Sequence, residues 1–186
     1  RSVLSDDSKE RPPLFLQGRA AVLLATHAAN WELFQEQERT LLGVVTAMVN
    51  ALDARDPDTR GHSHRVAMIG RRLAQAIGMS KDEVEEIFMT GLLHDIGKIG
   101  VPDHVLLKNG PLDPEQRRQI EQHAVIGHSI LKPVAQLRHV LPGVLHHHEK
   151  MDGTGYPNQL KGRDIPIAGR ILAVADAFDA MTTSRP

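Results

Sequence analysis

Apolar positions along this chain recur three and four residues apart, and strictly alternating runs are nearly absent, which predicts an all-α fold. From about Gln17 to Ala54 an Ala- and Leu-rich stretch passes into WELFQEQERTLLGVVTAMVNALDARD and reads as one long helix. Within it Leu41, Val45, Met48 and Leu52 alternate four and three apart, a seam that faces either a partner helix or the domain's own core. A helix over 62–77 stops at Gly78, and Ser80 caps the next, with Glu83 completing a capping box. That helix runs to about His94 and gives way to a loop, GKIGVPDHVLLKNGPLD. Pro114 opens a further helix that continues through Ile120 to Leu131. LPGVLHHHEK reads as helical, MDGTGYPNQLKGRDIP as a Gly- and Pro-rich loop, and AGRILAVADAFDAMTT as the final helix. Residues 1–13, polar with a Pro pair, read as a frayed linker or loop.

Composition removes several classes of chemistry. The 186 residues suffice for one good core with an appendage. A formal net charge of -1 provides no field for wrapping a nucleic-acid polymer, so an anionic ligand has to be held locally. Without cysteine there is no disulfide, thiolate nucleophile or Cys-rich zinc site, and any metal must rely on His and carboxylate ligands. The 11 histidines are therefore the feature to explain. The longest apolar stretches, such as AAVLLA at 20–25, fall far short of the roughly 20 residues of a membrane span, so a soluble piece without membrane contact is expected. The chain begins at Arg1 and stops at Pro186 within a functional-looking segment, and is expected to be cut from a longer protein.

The ionisable groups fall into clusters on otherwise apolar segments, where an unpartnered charge is costly. In GLLHDIGKIGVPD, Lys98 lies one helical turn from both His94 and Asp95. Adjacent His147 and His148 cannot share one narrow helix face, but each can serve a different metal of a close pair. Asp176 and Asp179, three apart inside ILAVADAFDAM, form an acid pair that calls for a cation. Asp58 and His62 are four apart and aligned, whereas His64 is rotated by about 200° from His62. The proline before Asp58 makes a cap or turn role an equal alternative to metal binding. His123 and His128 are about 140° apart around a helix, so at most one joins a shared site. His27, His64, His104, His128, His139 and His146 read as ordinary satisfied or exposed histidines. Each cluster alone has a structural explanation, but together they point to a shared ion cluster.

HDIGK at 94–98 resembles the HD superfamily of metal-dependent phosphohydrolases, and HHEKMDGTGYP at 147–157 resembles the signature of its HD-GYP branch. TRGHSHRVA, VPDHVLLKNG, EQHAVIG and RILAVADAFDAMTTSRP follow in that branch's order. The resemblance implies an HD-type helical bundle over 39–186, C-terminally incomplete, with a long N-terminal signalling helix. QGRAAVLLATHAANWELFQEQERT resembles the closing helix of a GAF-type sensory domain, so residues 1–38 are expected to be a linker and the end of an upstream sensor.

The implied activity is cytoplasmic hydrolysis of the bacterial second messenger cyclic di-GMP to linear pGpG, and in some members onward to GMP. The resemblance assigns His62, His94, Asp95, His123, His147, His148 and Asp176 as metal ligands, with Asp58 as a candidate ligand to a third ion. It makes Asp95 and Lys98 catalytic, with Lys98 on the scissile phosphate or the attacking water. Gly155, Tyr156 and Pro157 would place the substrate, and Arg185 would reach its phosphate. The sequence departs from the family pattern in KNG at 108–110, where Lys-Pro-Gly is usual, and in stopping at Pro186. Two or three divalent transition-metal ions are expected; His and carboxylate ligation suits Fe, Mn, Co, Ni or Zn, and the family favours iron or manganese. The resemblance also implies a homodimer through the N-terminal helix. Two alternatives stay open: an HD hydrolase of another nucleotide or cyclic dinucleotide, and a module that binds cyclic di-GMP or docks other signalling proteins without turnover.

Overall fold

A computed structural model describes the backbone of residues 14–56 and 60–183, with their side chains apart from residues 14–17 and 20. Among these described residues there are helices, turns and loops and no strand, the all-α class that the apolar spacing predicts. The chain divides into two compact units, Arg1–Gly43 and Val44–Pro186. Helix α1 spans Leu14–Arg55. In the first unit its described apolar side chains Val22, Leu23, Leu24, Trp31, Leu33 and Phe34 are exposed, and Trp31 stacks on Phe34 with ring centroids 5.9 Å apart. In the second unit Val45, Val49 and Leu52 are buried. The apolar seam of α1 there faces the chain's own core, so that of the two readings of the seam the internal one holds for Val45 and Leu52.

The second unit continues with α2 (His62–Ala76), α3 (Lys81–Leu93), α4 (Asp103–Leu106), α5 (Pro114–Glu121), α6 (His123–Leu131), α7 (Leu141–His146) and α8 (Ile167–Thr182). Helix α3 starts where predicted, with Ser80 accepting from the Glu83 N–H while Glu83 accepts from the Ser80 N–H. Asp113 caps α5 in the same way through Gln116, with Pro114 in the first turn. Helix α2 packs on α3 and α8, and α6 packs on α7 and on a 3-10 helix at Ile96–Gly100. Val66, Ile87, Leu172 and Ala175 are fully or almost fully buried between α2, α3 and α8. Truncating Leu172 to Ala there is expected to cost about 2–5 kcal/mol.

Two sequence expectations are corrected. The segment after His94 is not a plain loop but carries the 3-10 helix and α4. The helix expected from Pro114 to Leu131 breaks at Gln122, where both the Gln122 N–H and the His123 ring bond the Ile120 carbonyl. No helix among the described residues is long and apolar enough to cross a membrane.

Candidate metal centre

Histidines at helix ends converge on one buried cluster. His94 and His147 are the residues that close α3 and α7, and His123 opens α6 one residue past Glu121, the last of α5. The last carbonyls of a helix have no partner within it. Each of these histidines supplies one, donating Nδ1–H to the carbonyl three residues back: Gly91 at 2.7 Å, Ile120 at 2.6 Å and Val144 at 2.7 Å. The carbonyl can only accept, which fixes the tautomer and leaves each Nε2 pointing inward.

Burial lowers the pKa of His123 and, further, that of His147, so both rings are neutral at pH 7. Their Nε2 atoms nevertheless stand 3.2 Å apart. With Nδ1 protonated on both, neither Nε2 can donate, and two lone pairs face one another at contact distance. Two nitrogens bound at about 2.0–2.1 Å to one ion stand about 3.0–3.4 Å apart, so the pair has the spacing of ligands to a shared cation. His148 and Asp95 complete this group, and a second group of His62, His94 and Asp95 adjoins it, with the donor atoms of each group within 4.8 Å of one another. Burial, then His123, lowers His148 to about 4. This largely buried donor set of imidazole nitrogens and a carboxylate fits divalent metal.

Asp95 joins the two groups. Its Oδ1 lies 3.4 Å from His123 Nε2, while Oδ2 lies 3.4 Å from His94 Nε2 and 3.9 Å from His62 Nε2. Burial opposes its charge, but Lys98, whose Nζ is 2.8 Å from Oδ2, holds the carboxyl well below its ordinary range. Burial likewise opposes the Lys98 charge and Asp95 more than restores it, so the ammonium stays protonated inside the site. Gly97 makes this turn possible, since a Cβ there would stand 1.8 Å from the His123 carbonyl oxygen.

His62 reaches the site differently. Its Nε2 is 3.2 Å from Asp176, and its Nδ1 is 2.7 Å from Asp179, which also accepts from Arg65 Nε at 2.6 Å. Burial lowers its pKa, but the bonds to Asp176 and Asp179 outweigh this and raise it above the ordinary value. A cation in this group would take the place of the proton between Nε2 and Asp176. Asp179 therefore does not join Asp176 in a cation pair; it is occupied by Arg65 and the outer face of His62.

The GYP segment closes one side. Gly155 sits where a Cβ would be 2.4 Å from Glu149 Cα, and Tyr156 lies over His148 with ring centroids 4.8 Å apart. Buried Glu149 accepts the Asn158 and Leu160 N–H groups at 2.7 and 3.0 Å and pins the loop to the end of α7. Pro157 follows a cis peptide bond.

The fold thus brings together His62, His94, Asp95, Lys98, His123, His147, His148 and Asp176, with Tyr156 at the rim. His147 and His148 converge on one group rather than serving separate ones, because α7 ends at His146 and the backbone turns between them. His27, His64, His104 and His139 are exposed, and His128 and His146 are half-buried outside both groups. Asp58 and Arg185 lie outside the described residues, as does the 1–13 linker. The sequence reading missed Glu149, Arg65 and Arg55; for Glu149 the signal was an acid following the histidine run and leading into a Gly- and Pro-rich loop.

A family model described as an HD domain matches residues 46–186. The chain belongs to the HD-domain family. Its HD domain is similar to a protein of Thermotoga maritima called a cyclic di-GMP phosphodiesterase, 46% identical over 159 residues, 83% of this chain and 43% of that protein. It is also 40% identical over 158 residues to a Vibrio cholerae protein called 3'3'-cGAMP-specific phosphodiesterase 2, covering 84% of this chain and 30% of that one. The chain therefore spans less than half the length of these relatives. Among solved structures, the HD domain of the L. monocytogenes phosphodiesterase PgpH superposes with a TM-score of 0.55 at 20% identity, over 75% of this chain and 76% of that one, a likeness of fold.

Proposed function

We propose that this HD domain is a metal-dependent phosphodiesterase that opens cyclic di-GMP to linear pGpG. The observation that carries the reading is the pair of facing Nε2 lone pairs on His123 and His147, 3.2 Å apart beside Asp95 and Lys98. A cation is the simplest occupant of that geometry. A divalent metal bound there would make water acidic enough to attack at neutral pH and would offset charge on the attacked phosphate.

The chain's own residues divide the remaining work. His123, His147, His148 and Asp95 would hold one ion, and His62, His94 and Asp95, with Asp176 beside His62, the other. Asp95 would belong to both sets, with Oδ1 toward His123 and Oδ2 toward His94. Lys98, kept charged by Asp95, faces the phosphate oxygens where negative charge accumulates. Tyr156, with its phenol held protonated chiefly by burial, offers a ring and a donor at the rim, and Gly155 and Pro157 shape the loop around it. By the family resemblance, Arg185 would supply a further phosphate contact, and Asp58 would be a ligand if a third ion is bound. Iron or manganese suits the ligand set.

Cyclic di-GMP is favoured because the Thermotoga relative carries that activity in its name at 46% identity. A second substrate, 3'3'-cGAMP, is favoured by the name of the Vibrio relative. The same reading places the domain in the cytoplasm, where cyclic dinucleotides signal. It makes residues 1–38 the end of an upstream sensor, and the exposed Trp31, Leu33 and Phe34 of α1 a homodimer contact.

The test is direct. The chain is loaded anaerobically with Fe(II) or Mn(II), its metal content is measured, and cyclic di-GMP and 3'3'-cGAMP are supplied separately, with products resolved by ion-exchange chromatography. Faster conversion of cyclic di-GMP to pGpG supports the reading, and faster conversion of 3'3'-cGAMP supports the second. A folded chain holding two ions that cleaves neither overturns the enzyme reading.

A further inference from the structure

The guanidinium of Arg55, in the last turn of α1, donates five hydrogen bonds to the segment that follows Asp95. Nη1 donates to the carbonyls of Lys98 at 2.9 Å and Ile99 at 2.8 Å. Nη2 donates to the Val101 carbonyl at 2.6 Å and to Asp103 Oδ1 at 2.6 Å, and Nε donates to the same Oδ1 at 3.0 Å. A planar five-donor fork meets carbonyls at and just past the end of the 3-10 helix together with the Asp103 carboxylate, which a lysine cannot do at once.

The Lys98 carbonyl also accepts from Val101 N–H at 3.0 Å, while the Lys98 N–H donates to the Asp95 carbonyl at 2.9 Å. The backbone bearing the site's ammonium is therefore held from within by one short turn and from outside by Arg55. Asp56, buried next to Arg55 in sequence, adds its negative charge within electrostatic reach of Lys98.

We infer that Arg55 is a positioning residue for Lys98, fastening the Lys98 backbone to the last turn of α1 so that a displacement of this turn is delivered to the reaction centre. None of the five Arg55 bonds goes to a donor group that faces a metal, so its removal is expected to leave the ligand set intact and to loosen the Lys98–Asp103 segment. The consequence for turnover rests on the phosphodiesterase reading; the clamp itself does not. A misplacement of about 1 Å at a reacting group costs on the order of 100-fold in rate.

The experiment uses the full chain as wild type, Arg55→Gln, Arg55→Lys and Asp103→Asn. Metal content, amide hydrogen exchange, and kcat and KM for cyclic di-GMP are measured on each. For Arg55→Gln the expectation is unchanged metal content and about tenfold or more faster exchange at the Lys98 and Val101 amides, with α2 and α3 unaffected. The same variant should lose about 10- to 100-fold in kcat with KM nearly constant. Arg55→Lys should recover part of the loss. Asp103→Asn, an exposed change at the far end of the clamp, should move the same readouts less. Unchanged exchange at 98 and 101, or faster exchange there with wild-type kcat, overturns the inference. Loss of metal with faster exchange throughout α2 and α3 also overturns it, marking Arg55 as a general fold contact. If wild type holds its metal and cleaves no cyclic dinucleotide, the phosphodiesterase reading fails, and the exchange at 98 and 101 alone decides the clamp.

Discussion

Asp179 holds His62 from behind, with Oδ2 2.7 Å from Nδ1, while Arg65 Nε holds the other oxygen at 2.6 Å. The three lie on α2 and α8, helices that pack together in the core. A carboxylate on the outer nitrogen fixes the ring of a metal-binding histidine and raises its basicity, and its loss typically costs 10- to 100-fold in metal affinity. His62 is the one histidine of the site described here with this support; His94, His123 and His147 rely on main-chain carbonyls.

Asp179→Asn should therefore weaken metal binding in the His62 group by about 10- to 100-fold while the His123 and His147 group keeps its ion. Chelator competition with metal analysis at each step would show one ion leaving early. Two ions released together at the wild-type chelator concentration would contradict the role of Asp179.

Lys98→Met keeps the length of the side chain and removes its charge. Metal content should stay at the wild-type level, and turnover of cyclic di-GMP should fall by about 10² to 10³, the scale of one lost contact to developing charge. Single-turnover rates on metal-matched protein measure this, and a wild-type rate would remove Lys98 from the chemistry.

Glu149 accepts two main-chain N–H groups of the GYP loop, and a glutamine there would turn an amino group toward one of them. Glu149→Gln should speed amide exchange at Asn158 and Leu160 and raise KM, with metal content preserved. An unchanged KM alongside faster exchange would mean that the loop does not place the substrate.

Acid should destabilise the metal-free chain through its histidines. His148 is lowered from 6.5 to about 4, chiefly by burial, and His123 and His147 are also lowered. Below pH 6.5 the unfolded chain takes up protons that the folded rings resist, so stability falls as pH drops from about 6.5 to about 4. His62, with its pKa raised, acts in the opposite sense: its contribution is full below 6.5 and is lost as pH rises through its folded value. Three lowered rings outweigh one raised ring, so Tm of chelator-treated protein should fall on acidification from pH 7 to pH 4. A flat or rising Tm would show that the rings are not buried neutral.

Helix starts and several stops were legible because they depend on neighbours in sequence. Ser80 with Glu83, Pro114 behind Asp113, and the stop near Gly78 each act within one turn of chain. HDIGK and HHEKMDGTGYP likewise carried the family by residue type alone, and the separation of His62, His94, His123, His147 and His148 from the remaining histidines was already drawn. The tertiary structure decided what those residues touch. His94, His123 and His147 each bond a main-chain carbonyl three residues back, but only the packing of α3, α6 and α7 brings their rings to one place. Asp179 meets His62 across 117 residues and Arg55 meets Lys98 across 43, distances over which no periodicity or cap speaks. Local sequence sets which backbone hydrogen bonds can form; long-range packing sets which charges meet in the interior, where low dielectric strengthens each pairing.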